Sequence, residues 1–378
     1  MSTYNRLKVI TVVGTRPEII RLSRIINYFD ESFEHILVHT GQNYDVELNE
    51  IFFKDLNIKK PKYILSCAGK DSIETISNIL LKTHRIFQNE KPDAMVVLGD
   101  TNSSLSVISA KKLRIPIFHI EAGNRCFDQR VPEEINRKIV DHVSDVNLTY
   151  SEMARHNLYR ESLPPDRVFK IGSPLFEVIN HFLDKIKSSK ILSNLKLKEK
   201  NFFLFSFHRE ENIDEMGNFF KIVEIINSLN KKFKIPIIVS THPRTRKKIK
   251  EMSLKFKNSV RLLKPLGYFD YVKLQMSSRV VLSDSGSIIE ESNILDFPAI
   301  CLRESNERQE GIEAGATIMQ LTNKDLIDSI KILEKISFKR DLNKNALTDY
   351  ASLDVSKKVV FLIKSYKDYV HRKVWFRK

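Results

Sequence analysis

A chain of 378 residues exceeds the usual domain length of roughly 150 residues, so two domains are expected. With 42% hydrophobic and 29% charged residues it has the make-up of a globular protein rather than a disordered one, and no apolar run approaches the roughly 18 residues that a membrane span needs. A formal net charge of +15 fits acidic partners such as nucleic acid, anionic membrane or phosphorylated small molecules without choosing among them.

The first residues enter a strand pattern directly and lack the apolar core of a signal peptide. Apolar runs rich in Val and Ile predict strands at 7–13, 35–39, 94–98, 115–120, 146–150 and 168–171, each followed by a polar turn and an amphipathic helix pattern. A second set follows at 202–207, 237–240, 260–263, 280–283 and 299–302. Near-continuous apolar runs suit parallel strands buried on both faces. Their alternation with helices predicts an α/β protein of two Rossmann-like doubly wound domains facing a cleft. Residues 185–200 and 364–378 are Lys-rich and read as solvated helix faces and tails, since no nucleic-acid fold signature accompanies them. The first of these carries no strand signal and marks the junction. The expected division is 1–185 for the first domain, 186–354 for the second, and a helix over 355–378 that packs back on the first. Cys67, Cys126 and Cys301 are far apart and form no C-x-x-C pair, as expected of a reduced, cytoplasmic protein without a disulfide framework.

Ligands of such sheets bind beyond the carboxyl ends of the strands, so the residues just after each strand are the candidates. The first strand is followed by Gly14-Thr15-Arg16-Pro17-Glu18, a tight turn into a helix whose N-terminus favours an anion and whose Arg16 adds a cationic fork. Neither G-x-G-x-x-G nor G-x-x-x-x-G-K-[ST] occurs there, which speaks against a dinucleotide site or a P-loop. The 94–98 strand ends in Gly99-Asp100-Thr101, where Asp100 is either a helix cap or a site carboxylate. The next ends in His119-Ile120-Glu121-Ala122-Gly123-Asn124-Arg125, followed by Pro132-Glu133-Glu134-Ile135-Asn136-Arg137 at a helix start. Carboxylates that converge raise one another's pKa and supply a proton acceptor and a donor at neutral pH. His119-Ile120-Glu121 is half of a zinc deaminase pattern, but its P-C-x-x-C partner and any H-E-x-x-H are missing, so no metal is expected.

In the second half, strand ends deliver Ser206-Phe207-His208-Arg209-Glu210-Glu211-Asn212, Thr241-His242-Pro243-Arg244, Asp284-Ser285-Gly286-Ser287 and Arg303 to Glu310. Ser285 and Gly286 at a helix start offer hydroxyl and amide donors to a pyrophosphate, and Glu291, farther along the helix, can accept from both hydroxyls of a ribose. Arg244, Arg303 and Arg308 are further cations. An acidic first half suited to proton transfer and a second half suited to a nucleotide diphosphate together point to a nucleotide-sugar enzyme.

These motifs, in this order from about Leu7 to the Arg308 region, resemble the non-hydrolysing UDP-N-acetylglucosamine 2-epimerases, whose fold is glycosyltransferase-B-like. The resemblance implies that Asp100, Glu121 and Glu133 are catalytic carboxylates and that His208 is an active-site histidine beside the diphosphate. It implies UDP-sugar contacts for Arg16, Arg21, Arg125, His208, Ser285, Gly286, Ser287, Glu291 and Arg308, with Arg21 standing where the family commonly has Lys. It implies no cofactor and a homodimer. The chain departs from the family pattern at Asn124 for Leu, Ser287 for Gly and Gln309 for Pro. Residues 123–131, 241–246 and 265–271 look more like a subgroup that converts UDP-2-acetamido-2,6-dideoxy-L-talose to UDP-N-acetyl-L-fucosamine for surface polysaccharide such as O-antigen or capsule. The rival readings are a retaining glycosyltransferase with a UDP-sugar donor, a hydrolysing 2-epimerase, and a non-catalytic nucleotide-sugar sensor.

Overall fold

The computed structural model describes residues 6–42, 52–207, 216–241, 243–254, 256–315, 317–320, 322, 324–335 and 349–377. It divides into two compact units, one formed by 1–181 with 349–378 and the other by 182–348.

In the first unit the strands are β1 (Lys8–Val13), β2 (Glu34–His39), β3 (Tyr63–Ile64), β4 (Ala94–Leu98), β5 (Ile117–Ile120), β6 (Val146–Thr149) and β7 (Val168–Lys170). All pair in parallel in the order β3-β2-β1-β4-β5-β6-β7. The helices between them are α1 (Arg16–Ser32), α2 (Ser72–Glu90), α3 (Val107–Lys112), α4 (Pro132–Val143), α5 (Glu152–Arg160) and α6 (Pro174–Lys187). Every residue of β4, β5 and β6 is buried, as strands covered by helices on both faces require. Helix α1 buries Ile19, Leu22, Ile25, Ile26 and Phe29, a three-and-four spacing that lays one apolar stripe on the sheet.

The second unit repeats the plan with α7 (Ile191–Asn194), β8 (Phe203–Phe207), α8 (Met216–Phe233), β9 (Ile237–Thr241), α9 (Pro243–Glu251), β10 (Val260–Leu263), α10 (Tyr268–Ser277), β11 (Val280–Ser283), α11 (Ser287–Leu295), β12 (Ala299–Cys301), α12 (Gln309–Glu313), β13 (Thr317–Met319) and α13 (Leu326–Lys335). Its parallel order is β10-β9-β8-β11-β12-β13. The strand pattern of the sequence leaves out β3 and β13. Both are sheet-edge strands of two and three residues, too short to show an apolar run of their own.

The divisions fall at 181/182 and 348/349, a few residues earlier than the 185/186 and 354/355 of the sequence pattern. Side chains and backbone explain the second shift. Asp349 accepts hydrogen bonds from the Lys170 ammonium at 2.8 Å and from the Glu152 amide at 3.1 Å, which ties it to the first unit before the last helix begins. That helix, α14 (Val355–Lys373), lies on the same unit. The Ser356 amide and hydroxyl both donate to Glu177 of α6, and the Tyr366 ring meets Phe169 edge-on at 4.8 Å. Among the described residues no helix is long and apolar enough to cross a membrane.

The turn from β1 into α1 is closed by a single carboxylate. Glu18 Oε2 accepts from the amides of Gly14 at 2.5 Å and Thr15 at 2.9 Å, and Oε1 accepts from the Thr101 hydroxyl at 2.5 Å. Glu18 is buried, and burial pushes its carboxyl up from 4.5 to about 7 against those three hydrogen bonds. A carboxyl whose folded-state pKa is raised stabilises the fold below its unfolded pKa and loses that contribution as pH rises through the folded value. The urea midpoint of the wild type therefore carries a Glu18 contribution that disappears between about pH 4.5 and about pH 7, and Glu18→Gln lacks it. The midpoint difference between variant and wild type should change across that window; a difference that stays constant removes Glu18 as its source.

Candidate active site

Two carboxylates follow the ends of β4 and β5. Glu121 follows β5 directly with φ at +70°, a left-handed conformation that a non-glycine residue adopts at a cost and that is enriched at functional sites. Its carboxylate lies 3.7 Å from the Arg21 guanidinium of α1 and accepts from the Asn124 amide at 3.3 Å and the Tyr150 hydroxyl at 3.4 Å. Gly99, which leaves β4 with φ at +71°, stands close enough that a Cβ there would lie 3.7 Å from Glu121 Oε2. The next residue is Asp100. It does not cap the following helical turn; the Thr101 hydroxyl does so by accepting from the Ser103 amide. Asp100 Oδ2 instead pairs with Arg137 of α4 at 2.7 Å, and its carbonyl accepts from the Asn136 amide at 3.0 Å.

Helix α4 opens at Pro132, so Glu133 sits in its first turn, half-buried, with no hydrogen bond or ion pair to the other described residues. Asn136 and Arg137 follow it by three and four residues and share its helix face. Both reach Asp100, so the third expected carboxylate belongs to the face that addresses the first. Its neighbour Glu134 instead is fully buried and closes the loop before α4 by accepting from the amides of Cys126 and Phe127 at 3.1 Å each. Arg16, at the start of α1, stacks over the Phe52 ring at 5.8 Å.

Arg125 is held within its own unit. It is 1% exposed, its Nη1 donates to Asp141 Oδ2 at 2.6 Å, and its Nε and Nη2 fork onto Glu161 at 2.8 and 2.6 Å. Those charge-assisted bonds engage its donors inside the unit and fix the loop that carries it.

In the second unit a chain of hydroxyls and carboxylates lines the end of β11. Ser206 joins Tyr271 at 2.9 Å and Ser283 at 2.8 Å, and the Ser283 hydroxyl accepts from the Ser285 amide. The Ser285 and Ser287 hydroxyls are 2.9 Å apart, and Ser287 donates to Glu291 Oε1 at 3.0 Å. Gln275 of α10 donates to Glu291 Oε2 at 2.5 Å, so both oxygens are held. Burial and the Glu291 charge push the Tyr271 phenol well above its usual value, which keeps it a neutral hydrogen-bonding group. Gly286 caps α11, and a Cβ there would meet Glu307 Oε1 at 2.1 Å, so only glycine admits this approach. Glu307 is in turn gripped by Arg303 at 2.8 Å, itself close to Gly286, and by Arg308 at 3.0 Å, whose guanidinium is occupied by Glu307 and Glu290. His208 lies outside the described residues, as do the side chain of Arg244 and all of His242.

Arg21 thus meets Glu121 beside the turn that bears Asp100 in one unit, and Ser285, Ser287 and Glu291 are joined in the other, with Gly286 and Arg308 both against Glu307. Sequence reasoning does not single out Glu18, Asn124, Arg137, Tyr150 and Gln275 for these contacts. The first three lie inside the motifs after β1 and β5 and at the start of α4, but only the folded turn and helix show which side chains they meet.

A family model described as UDP-N-acetylglucosamine 2-epimerase matches residues 28–364. The structure of UDP-N-acetylglucosamine 2-epimerase from Rickettsia bellii is 45% identical and superposes with a TM-score of 0.89, covering 98% of this chain and 100% of that one. The crystal structure of the Methanocaldococcus jannaschii UDP-GlcNAc 2-epimerase in complex with UDP-GlcNAc and UDP is 32% identical with a TM-score of 0.87, covering 95% and 100%. A UDP-2,3-diacetamido-2,3-dideoxy-D-glucuronate 2-epimerase from Pseudomonas aeruginosa is 33% identical over 326 residues, 85% of this chain and 90% of that protein. Given a model that spans most of the sequence and relatives matched along nearly their whole lengths, this chain belongs to the non-hydrolysing UDP-N-acetylglucosamine 2-epimerase family, isomerases of nucleotide sugars.

Proposed function

We propose that this enzyme inverts C2 of a UDP-2-acetamido sugar by eliminating UDP and adding it back. The C2 hydrogen of such a sugar is not α to a carbonyl and is not acidic near neutral pH. As the C1–O bond to UDP breaks, positive charge grows at C1 and the C2–H bond becomes acidic. Removal of that proton leaves a 2-acetamido glycal and UDP. A proton delivered to the opposite face of C2, with return of the UDP oxygen to C1, completes the inversion without net oxidation or reduction.

This path needs acid and base groups for two faces and a clamp that retains the departing UDP. Asp100, Glu121 and Glu133 serve the proton transfers. Arg16, Arg21, His208 and the Ser285–Gly286 helix end serve the clamp, with Glu291 on the ribose. The observation that carries the reading is Glu121 itself: a carboxylate in a strained conformation, paired with Arg21 and set beside the turn that bears Asp100.

Within the UDP-2-acetamido sugars, the 6-deoxy substrate UDP-2-acetamido-2,6-dideoxy-L-talose is favoured, with UDP-N-acetyl-L-fucosamine as product and surface polysaccharide as its destination. Segments 123–131, 241–246 and 265–271 support it. So does Asn124, whose buried amide lies on Glu121 where the family pattern has an apolar Leu.

Incubation with UDP-N-acetylglucosamine and with UDP-2-acetamido-2,6-dideoxy-L-talose in D₂O, followed by NMR, tests the reading. Deuterium should appear at C2 of the inverted product with UDP still attached, and faster from the 6-deoxy sugar. Transfer of undeuterated sugar to an added acceptor would favour a glycosyltransferase instead. Glu121→Gln should lower exchange by about 10² to 10⁴-fold and leave UDP affinity almost unchanged; substantial exchange in that variant removes Glu121 from the chemistry. By calorimetry, Glu291→Gln should weaken UDP binding about tenfold and weaken 2′-deoxy-UDP less. Equal losses for the two nucleotides would take Glu291 off the ribose.

A further inference from the structure

The ends of β4 and β5 are joined by a buried chain of charged groups that the chemistry above does not use. His119, the third residue of β5, is fully buried. Its Nε2 lies 3.0 Å from the Gly99 carbonyl oxygen, and because a carbonyl only accepts, that nitrogen carries a proton. Its Nδ1 faces Asp141 Oδ1 at 2.8 Å. Asp141, on α4 and equally buried, accepts from Arg125 Nη1 at 2.6 Å and from the Gly123 amide at 3.2 Å. Arg125 continues the chain onto Glu161. Burial pushes the Asp141 carboxyl up, but the His119 and Arg125 contacts outweigh it and hold the group below the usual carboxylate range.

The positions of the two anchors matter most. Gly99 immediately precedes Asp100, and Gly123 follows Glu121 by two residues. The imidazole therefore meets the backbone in front of one carboxylate and lies 2.8 Å from Asp141, which holds the backbone behind the other. The second turn needs holding, since Glu121 leaves its strand with a positive φ that a non-glycine residue adopts at a cost.

We infer that His119 and Asp141 are positioning residues that set the separation of Asp100 and Glu121, a role that rests on the function proposed above. They touch no reacting atom. A buried polar pair with a purely structural role would, when broken, lower stability but leave the folded enzyme's kcat intact. A misplaced base slows the proton step, while UDP binding, to which the proposed clamp gives Arg16, Arg21 and groups of the other unit, is retained.

The test compares wild type with His119→Phe, His119→Gln and Asp141→Asn, each confirmed folded by circular dichroism. The substrate is whichever of the two UDP-sugars above the wild type turns over. His119→Phe should lose about 100-fold in kcat, with a larger isotope effect from C2-deuterated substrate and little change in UDP affinity. His119→Gln, whose amide can still donate to the Gly99 carbonyl, should recover part of that loss. A folded His119→Phe with wild-type kcat and isotope effect overturns the proposal. If that variant does not fold, wild-type kcat in both His119→Gln and Asp141→Asn overturns it equally. Wild type that incorporates no deuterium at C2 sinks the epimerisation chemistry and this role together. Wild type that exchanges, matched by the folded variants, sinks the positioning role alone.

Discussion

Parallel strands β1, β4 and β5 end at the same edge of their sheet, and the backbone leaving them is held by buried side chains rather than by further pairing. Glu18 ties the turn after β1 to Thr101, and His119 with Asp141 ties Gly99 to Gly123. Asp100 is thereby bracketed on both sides, by a carbonyl that accepts from His119 and a neighbouring hydroxyl that donates to Glu18. Such buried polar groups are costly unless each finds a partner, and here the partners are the turns themselves. The geometry of the carboxylates is thus written into groups that stand behind the turns bearing them.

The second unit solves a different problem. An anion-binding helix end must present donors without leaving them unsatisfied when nothing is bound. The serine chain from Ser206 through Ser283, Ser285 and Ser287 to Glu291 satisfies these hydroxyls internally, and Gln275 fixes the far oxygen of Glu291. Arg308 is held by carboxylates in the same way. In the proposed chemistry a nucleotide would exchange with these internal bonds rather than fill open valences. Part of the intrinsic strength of each contact is then offset, which suits an enzyme that must let UDP leave C1 and return.

Asn124 places a specific change next to the carboxylates of the first unit. The Asn124 side-chain amide donates to the Glu121 carboxylate at 3.3 Å, a contact that an apolar side chain at that position cannot make. The change falls in segment 123–131, one of those that resemble the 6-deoxy subgroup. Arg21 lies 3.7 Å from the same carboxylate.

Much of the architecture is legible in the residues. Apolar runs such as Ala94 to Leu98 and Val280 to Ser283 announce strands buried on both faces, and strand–helix alternation leads to two parallel sheets. The motifs after the strands likewise point to the carboxylates and the helix end, because parallel topology sends every such turn to one edge. Edge strands β3 and β13 stay invisible, since two or three residues carry no period. What only the tertiary structure decided was partnership. Residue types cannot reveal that Arg125 is spent on Asp141 and Glu161, that Arg137 rather than a helix cap engages Asp100, or that His119 bridges two turns. These pairs join residues far apart in the chain, and which donor reaches which acceptor is set by how helices pack on the sheet, a matter of distance in space that spacing along the sequence does not encode.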